Sequence, residues 1–244
     1  MTVTDAATGR SFLTAQWREL AMLNYDVDPA LLQQFVPFGT ELDSWNGRTF
    51  LSLVAFRFLK TRVLGISVPF HSNFEEVNLR LYVRRLDGPL IKRGVVFIRE
   101  IVPRWAIATL ARALYNENYV SLPTSHQISR GDDGLAVGYR WKTGNRWNRI
   151  NLTAKGTPVI PAPDSAEQFI TEHYWGYARQ PDGGCTEYQV AHPAWRVWNT
   201  PDARFEGDMH ELYGKDLGAL IKAKPASAFL AEGSEVTVYK GKRL

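Results

Sequence analysis

The stretch Phe74-Glu75-Glu76-Val77-Asn78-Leu79-Arg80-Leu81-Tyr82-Val83 decides the fold that the sequence predicts. Apolar and polar residues alternate along it, and a β-strand turns successive side chains to opposite faces. One face is aliphatic and consists of Val77, Leu79, Leu81 and Val83. The other face carries an acid, an amide, a cation and a phenol, namely Glu76, Asn78, Arg80 and Tyr82. This polar face is either solvated surface or the lining of a pocket.

The sequence on either side of this strand predicts more strands joined by tight turns. Asp87-Gly88 turns the chain, and residues 94–102 return as a strand. Strict alternation there places Val95, Phe97, Arg99 and Ile101 on one face, and Val96, Ile98, Glu100 and Val102 on the other. Upstream, Asn46-Gly47 is a strong hairpin signal, and Pro103 is placed to begin a helix. We therefore predict an α+β fold that is mainly antiparallel β with a few flanking helices.

Local signals place the remaining helices and leave one long segment unassigned. Asp28 and Pro29 form a helix start, and Asp164 with Glu167 resembles a capping box. A short helix is predicted near residues 216–222, and a closing strand over residues 235–239. Residues 11–25 mix apolar and polar positions and are predicted only to enter the core. Residues 1–10 are predicted to be frayed, and residues 11–244 to form a single domain.

Composition excludes several classes of function. The net charge of +4 is scattered along 244 residues, whereas proteins that track phosphates carry denser basic stripes, so we predict no nucleic-acid partner. Cys185 stands alone, which excludes an internal disulfide and suits a reducing compartment. The N-terminus lacks the basic and apolar regions of a signal peptide, and no apolar run is long enough to span a bilayer. The expectation is a cytoplasmic protein without a membrane partner, for which a homo-oligomer remains open.

No motif in the sequence names a reaction. The five histidines are scattered without the i, i+4 pairing of a zinc helix, and no phosphate-cradling glycine loop or nucleophile elbow is present. We therefore predict neither a metal site nor a cofactor. Cys185 is better explained as a packed thiol than as a nucleophile. The aromatic run around Trp175, together with Trp195, is typical either of core packing or of a ligand cavity.

Glu76 and Glu100 lie on neighbouring predicted strands, and Arg80 lies on the strand of Glu76. A carboxylate beside an arginine binds a polar substrate group or supplies a general base when it is shielded from water. The alternative is a surface ion pair across two strands. If the face is shielded, a relay through Asn78 is expected rather than direct contact. Glu76 and Arg80 are then expected to coexist charged, with Asn78 orienting one or both of them by hydrogen bonds.

Several stretches resemble the YqjF-like family of bacterial proteins of unknown function. They span most of the chain in order and are Phe12-Leu13-Thr14-Ala15-Gln16-Trp17-Arg18, Val27-Asp28-Pro29-Ala30-Leu31-Leu32, Glu76-Val77-Asn78-Leu79-Arg80-Leu81-Tyr82-Val83, Ala111-Arg112-Ala113-Leu114-Tyr115 and His192-Pro193-Ala194-Trp195. That family is similar to the acetoacetate-decarboxylase-like superfamily. The resemblance implies a cone-like, mainly antiparallel β-barrel with flanking helices and an internal pocket.

The resemblance also implies a site and removes one mechanism. Acetoacetate decarboxylase uses a lysine on the loop after the barrel helix to form a Schiff base, and the comparable residues 115–120 here contain no lysine. Glu76 is similar to the pocket glutamate of the superfamily and is our candidate catalytic residue. The candidate ligand-binding residues are Asn78, Arg80, Arg112, Tyr115 and His192.

Three functions stay open at this stage. The first is a pocket for a small polar or carboxylated organic molecule, without Schiff-base chemistry. The second is a lyase or hydro-lyase with Glu76 as general base, and the third is a structural or partner-binding protein. Burial of Glu76, Asn78 and Arg80 discriminates between them, since a pocket needs these residues shielded.

Overall fold

A computed structural model describes residues 9–67, 71–103, 116–200 and 202–244, with the side chain of Asn199 left undescribed. Three α-helices lie within these ranges: α1 (Pro29–Leu32), α2 (Ala166–Thr171) and α3 (His210–Lys222). The helix predicted from Pro103 lies outside the described residues, as does most of the segment predicted to be frayed. Among the described residues, no helix is long and apolar enough to cross a membrane.

Strands dominate the described structure and form two sheets. The larger sheet contains β1 (Ser11–Val27), β2 (Glu41–Leu42), β3 (Thr49–Val63), β4 (Phe74–Asp87), β5 (Leu90–Val102), β6 (Tyr119–Ser121), β10 (Trp175–Arg179), β11 (Cys185–Ala191), β12 (Val197–Asn199), β14 (Ser227–Tyr239) and β15 (Lys242–Arg243). The smaller sheet contains β7 (Thr124–Gly131), β8 (Gly134–Thr143), β9 (Arg146–Lys155) and β13 (Asp202–Glu206).

The larger sheet returns on itself. Its strands follow the order β12-β14-β1-β3-β4-β5-β10-β11-β15, and β11 also pairs with β14. Most neighbours are antiparallel, and β5 makes parallel pairs with β6 and β10. The prediction of a mainly antiparallel β fold with few helices is therefore confirmed.

Both faces of β4 are buried, so this strand lies at the centre of the fold. Its aliphatic face joins a core that also contains Val137 and Ile150 of the smaller sheet and Leu217 of α3. The smaller sheet and α3 therefore cover the outer side of the larger sheet. The polar face of β4 turns to the inner side, where only 3% of Glu76 and 8% of Arg80 are exposed. The polar face is therefore shielded from solvent.

A β-bulge in β5 corrects the predicted alternation. Leu79 pairs with Arg99 but Arg80 pairs with Phe97, so Ile98 is an extra residue on β5. The bulge shifts the phase of the strand, and Phe97 and Glu100 face the same inner side. The prediction that they lie on opposite faces was wrong, because simple alternation assumes an unbroken ladder.

The other local predictions succeeded where the signal was a backbone requirement. Asp28 caps α1 by accepting a hydrogen bond from the Ala30 N–H at 2.9 Å. Asn46 and Gly47 have φ of 49° and 76°, as an Asn-Gly hairpin turn requires. The cap of α2 is one residue later than predicted, because Ser165 accepts from the Gln168 N–H. Residues 11–25 belong to the long strand β1. Two irregularities in its pairing with β3 interrupt the alternation of apolar and polar residues, so the sequence did not reveal this strand.

Candidate functional site

The inner side of the larger sheet encloses a cavity of about 340 Å³. Its walls are largely aromatic. Its polar side chains come from β3, β4, β5, β6 and β11, from the end of α2, and from the segments that follow β3, α2 and β11 or precede β6. Trp175 and Trp195 are among the lining residues, so the aromatic run that the sequence singled out contributes to a cavity. Other aromatic members of the wall are Trp17, Phe56, Phe58, Phe74 and Phe97.

Glu76 lies in this cavity and is hydrogen-bonded on both carboxylate oxygens. Its Oε1 accepts from the Asn78 amide at 2.9 Å, and its Oε2 accepts from the Tyr119 hydroxyl at 3.1 Å. Burial raises the pKa of Glu76 to about 7, although the two hydrogen bonds and the charge of Arg80 work against that rise. Glu76 therefore holds or releases a proton close to neutral pH.

Arg80 lies on the same face but does not reach Glu76. Its guanidinium donates to the Tyr82 hydroxyl and to the Ile170 carbonyl, both at 3.4 Å, and lies over the Tyr82 ring. Asn78 bonds Glu76 alone, and its own amide oxygen has no partner. Asn78 therefore orients Glu76, one of the two groups it was expected to orient, but the predicted relay from Glu76 to Arg80 through Asn78 was wrong. Within the described part of the chain, no carboxylate pairs with Arg80.

A buried hydrogen-bond chain holds Arg80 from behind. The Asn24 amide donates to Ser227, so Ser52 must donate to Asn24 Oδ1, at 2.7 Å. Because Ser52 has one proton, Tyr82 donates to Ser52 at 2.7 Å, and the Tyr82 oxygen accepts from Arg80. The donor of each hydrogen bond in the chain is thus assigned. This chain of hydrogen bonds orients the Arg80 guanidinium toward the cavity.

Two further carboxyl groups complete the polar part of the cavity. Asn78 pairs with Glu100 across the ladder, and Glu100 in turn pairs with Tyr119. Burial, then the charges of Glu117 and Glu76, raise the pKa of Glu100 well above its ordinary value, against a smaller opposing contact with Tyr119. One oxygen of Glu100 is buried without a hydrogen-bond partner. Such a group is stable in the interior as the neutral acid.

Glu117 is a site residue that the sequence did not reveal. It accepts a hydrogen bond from the Tyr188 hydroxyl at 2.7 Å and lines the cavity. Burial raises its pKa to about 7, the Tyr188 hydrogen bond opposes the rise, and the charge of Glu76 adds to it. The residue precedes a three-residue strand within Asn-Glu-Asn, a pattern typical of an exposed turn, so no local signal marked it.

His192 lines the cavity, as the site prediction requires. Its ring stacks on Trp195 with centroids 4.2 Å apart, and Nδ1 lies 2.9 Å from the Pro193 carbonyl oxygen. Burial lowers the pKa of His192 to about 4, although the Pro193 carbonyl opposes this, and Arg80 lowers it further. His192 is therefore neutral at pH 7 and presents a hydrogen-bonding ring rather than a charge.

The predicted site residues thus divide into two sets. Glu76, Asn78, Arg80 and His192 meet in one cavity. Arg112 and Tyr115 lie outside the described residues. Among the described residues, no group of three or more histidine, cysteine, aspartate or glutamate side chains is arranged to hold a metal ion.

All nine lysines lie within the described residues, and none lines the cavity. Lys92, near the start of β5, is buried: only 6% of it is exposed, and it pairs with Glu187 at 3.0 Å and with Asp87 at 2.5 Å. The complete set is Lys60, Lys92, Lys142, Lys155, Lys215, Lys222, Lys224, Lys240 and Lys242.

The arrangement combines an anion-binding group with proton-carrying groups. An arginine without a carboxylate partner offers charge-assisted hydrogen bonds to a ligand anion. Glu76 and Glu117, whose pKa values are raised to about 7, can give or take protons near neutral pH, and Glu100 has a pKa raised well above its ordinary value. The aromatic walls make the surroundings of both less polar, which strengthens their electrostatic interactions.

Solved structures with a similar fold include acetoacetate decarboxylases and an enzyme of enduracididine biosynthesis. Acetoacetate decarboxylase from Legionella pneumophila aligns with a TM-score of 0.68 and 16% identity, covering 100% of this chain and 92% of its own. The enduracididine biosynthesis enzyme MppR, complexed with pyruvate, aligns with a TM-score of 0.67 and 12% identity over 99% and 93% of the two chains. An acetoacetate decarboxylase-like enzyme from Sphingomonas wittichii aligns with a TM-score of 0.64 and 14% identity, covering 100% of this chain and 97% of its own. The protein thus has an acetoacetate-decarboxylase-like fold.

Sequence comparison identifies the family. Residues 14–235 match DUF2071, a family of uncharacterized conserved proteins. The uncharacterized protein YqjF of Bacillus subtilis (strain 168) is 35% identical over 164 residues, which are 65% of this chain and 64% of that relative. The alignment therefore spans slightly less than two thirds of the relative. The chain belongs to the DUF2071 family, and the YqjF-like resemblance is confirmed.

Proposed function

We propose that this protein binds a small organic molecule with a carboxylate or similar polar head in its internal cavity. The observation that carries the proposal is Arg80, which is buried, faces the cavity and has no carboxylate partner among the described residues. An unpaired buried guanidinium is costly, and a ligand anion supplies the missing partner. In this proposal the returning sheet forms a cone-like barrel around the ligand.

The proposal excludes a Schiff base. No lysine is among the described residues that line the cavity, and residues 115–120 contain none. A ligand carbonyl near Glu76 therefore meets carboxyl groups and phenols rather than an amine. We propose that any chemistry here proceeds by proton transfer.

A lyase or hydro-lyase is the second candidate, with Glu76 as general base. The specific observation behind it is the pKa of about 7, because a base works best when its pKa lies near the operating pH. The hydrogen bonds from Asn78 and Tyr119 hold the Glu76 carboxylate in one orientation, so that it can accept a substrate proton from a defined direction. The third function, a structural or partner-binding role, is disfavoured, since the polar face of β4 is shielded.

Thermal shift with acetate, pyruvate and acetoacetate tests the binding proposal. Pyruvate is included because a protein with a similar fold was solved with it. A ligand that binds only the native state raises the melting temperature with concentration. We expect at least one acid to do so for the natural protein and not for Arg80→Met. Arg140→Met, on an exposed arginine of β8, is the control and should keep the response. Equal responses of natural protein and Arg80→Met contradict the proposal.

A further inference from the structure

Three carboxyl groups from separate segments share the polar part of the cavity. Glu76 comes from β4, Glu100 from β5 and Glu117 from the segment before β6, and at most 6% of each residue is exposed. The charge of Glu76 acts on both of the others. Three negative charges cannot coexist in so small a low-dielectric space, so protons must remain on this group, which we name the carboxyl cluster.

The other charged and titratable groups facing the carboxyl cluster do not neutralise it. Arg80 is the cation among the described residues lining the cavity, and it makes its hydrogen bonds elsewhere. Two hydroxyls donate to the cluster, and burial raises the pKa of Tyr119 well above its ordinary value, so that it stays protonated. Burial lowers the pKa of His173 and His192, which are therefore neutral, and His71 is a third histidine that lines the cavity. The charged and titratable side chains that line the cavity beside the cluster are Arg80, Tyr119, Tyr188, His71, His173 and His192. Outside the lining, Cys185 interacts electrostatically with Glu117, and Tyr213 with Glu100; the pKa values of both are raised, so both stay protonated.

The rest of the wall determines what the remainder of a ligand must be. Trp17, Phe56, Phe58, Phe97 and Trp195 surround the space beyond the polar residues. A ligand that stops at its carboxylate leaves these rings in contact with water. A ligand with an apolar tail buries them, and burial of apolar area is favourable in proportion to that area. The wall thus favours acids with an apolar tail over acetate-sized ones.

We infer that the cavity takes an organic acid with an apolar tail, bound as its carboxylate beside Arg80, and that the carboxyl cluster takes up a proton from solvent as the acid binds. The inference rests on the proposed function, which supplies the carboxylate. A second anion near ionised carboxylates costs electrostatic energy in a low-dielectric cavity, and protonating one of them removes that cost. No covalent step is involved, because one proton moves from buffer to a glutamate oxygen.

Isothermal titration calorimetry with phenylacetate, acetate and phenethylamine tests the inference. Each is titrated at pH 7 in phosphate and in Tris, whose ionisation enthalpies differ, so that the heats give the number of protons exchanged. We expect phenylacetate to bind roughly tenfold or more tightly than acetate, from the apolar area of the ring. We expect an uptake approaching one proton, and a loss of affinity of up to about tenfold between pH 7 and pH 8.

Variants assign the proton to the carboxyl cluster. Glu76→Gln and Glu117→Gln should each reduce the measured uptake, because these are the two groups whose pKa values lie at about 7. Glu232→Gln, the same change at an exposed glutamate paired with Arg196, should leave it unchanged. Uptake in the natural protein is informative even if a variant fails to fold.

The outcomes separate the inference from the proposed function. Binding of acids without proton uptake, or equal affinity for acetate and phenylacetate, overturns the inference and leaves the proposed function standing. Binding of phenethylamine in preference to both acids overturns the inference, because the cluster then selects a cation. If no acid binds and no acid shifts the melting temperature, both fail.

Discussion

At the scale of single residues, the clearest chemical consequence concerns the lysines. Lys92, the buried one, is paired with Glu187 and Asp87. Burial alone lowers the pKa of Lys92, but its hydrogen bonds to Asp87 and Glu187 raise it above its ordinary value, which keeps the amine protonated. A protonated amine does not attack a carbonyl. None of the other lysines lines the cavity.

Borohydride trapping checks this point. Incubation with acetoacetate or pyruvate and borohydride should leave no stoichiometric adduct by mass spectrometry. An acetoacetate decarboxylase treated in parallel is the positive control. A stoichiometric adduct that maps to one lysine contradicts the exclusion of Schiff-base chemistry.

The same substitution at two buried glutamates should have opposite effects on stability. Glu100 has an unpartnered buried oxygen, and burial raises its pKa well above the ordinary value. At pH 8 this carboxyl group is ionised in the unfolded chain and must take up a proton to be buried as the neutral acid. Glu100→Gln removes that cost, so the free energy of unfolding at pH 8 should rise by about 1 kcal/mol or more. Glu187 instead pairs with Arg85 at 3.1 Å and Lys92 at 3.0 Å. Glu187→Gln breaks a buried ion pair and should cost about 3 kcal/mol. Urea unfolding measures both, and a loss of stability in Glu100→Gln refutes the role of the neutral acid.

At the scale of elements, β10 and β11 meet where a glycine makes room for an aromatic ring. Gly176 pairs with Tyr188, and a Cβ built on Gly176 overlaps the Tyr188 ring. The hydroxyl of that ring holds Glu117 in the cavity. The small residue on β10 therefore sets the position of a group on another segment, and strand pairing and site geometry depend on each other.

Gly176→Ala tests this dependence. We expect a loss of about 1–3 kcal/mol in the free energy of unfolding, as for overpacking in a filled core, because the Tyr188 ring must move. Gly131→Ala is the matched control, since a Cβ on Gly131 meets nothing within 4 Å, and it should change stability by less than about 0.5 kcal/mol. Equal stabilities of the two variants in urea unfolding would falsify this account of the β10–β11 contact.

At the scale of the whole molecule, the carboxyl cluster should control how stability changes with pH. A pKa of about 7 for Glu76, against an ordinary 4.5, means that the folded protein binds this proton more tightly than the unfolded chain. That contribution of about 3 kcal/mol is complete below pH 4.5 and is lost as the pH rises through 7. Glu117, whose pKa is also raised to about 7, contributes stability over the same pH range. Buried His173 and His192 have lowered pKa values and act oppositely, but only below the ordinary histidine value of 6.5.

The window from pH 6.5 to 8 therefore isolates the carboxyl groups. We expect the melting temperature to fall across this window in the natural protein. The decline should be shallower in Glu76→Gln and Glu117→Gln, since each removes one titrating group, and should persist in the surface variant Glu232→Gln. Calorimetric melts at half-unit steps measure it, and a melting temperature that rises through this window contradicts the raised pKa values.

The sequence by itself determined the local features of the fold, which depend only on residues close together in the chain. The period-two pattern of β4 assigned Val77 and Leu79 to one face and Glu76 and Arg80 to the other, because side-chain direction along a strand is a local property. The Asn46-Gly47 turn and the Asp28 cap were predicted for the same reason. The alternation pattern alone predicted only a mainly antiparallel β fold. The resemblance to the YqjF-like family predicted the acetoacetate-decarboxylase-like fold in particular.

Tertiary structure alone decided which polar face is shielded, because burial depends on segments far apart in sequence. The smaller sheet and α3 cover one side of β4, and the pairing of β11 with β14 brings distant strands round the other. The bulge at Ile98 turned Glu100 inward, and Tyr188 fixed Glu117, a residue whose local sequence looks like an exposed turn. The raised pKa values follow from that enclosure, since desolvation acts on a carboxyl group only after distant segments have closed around it.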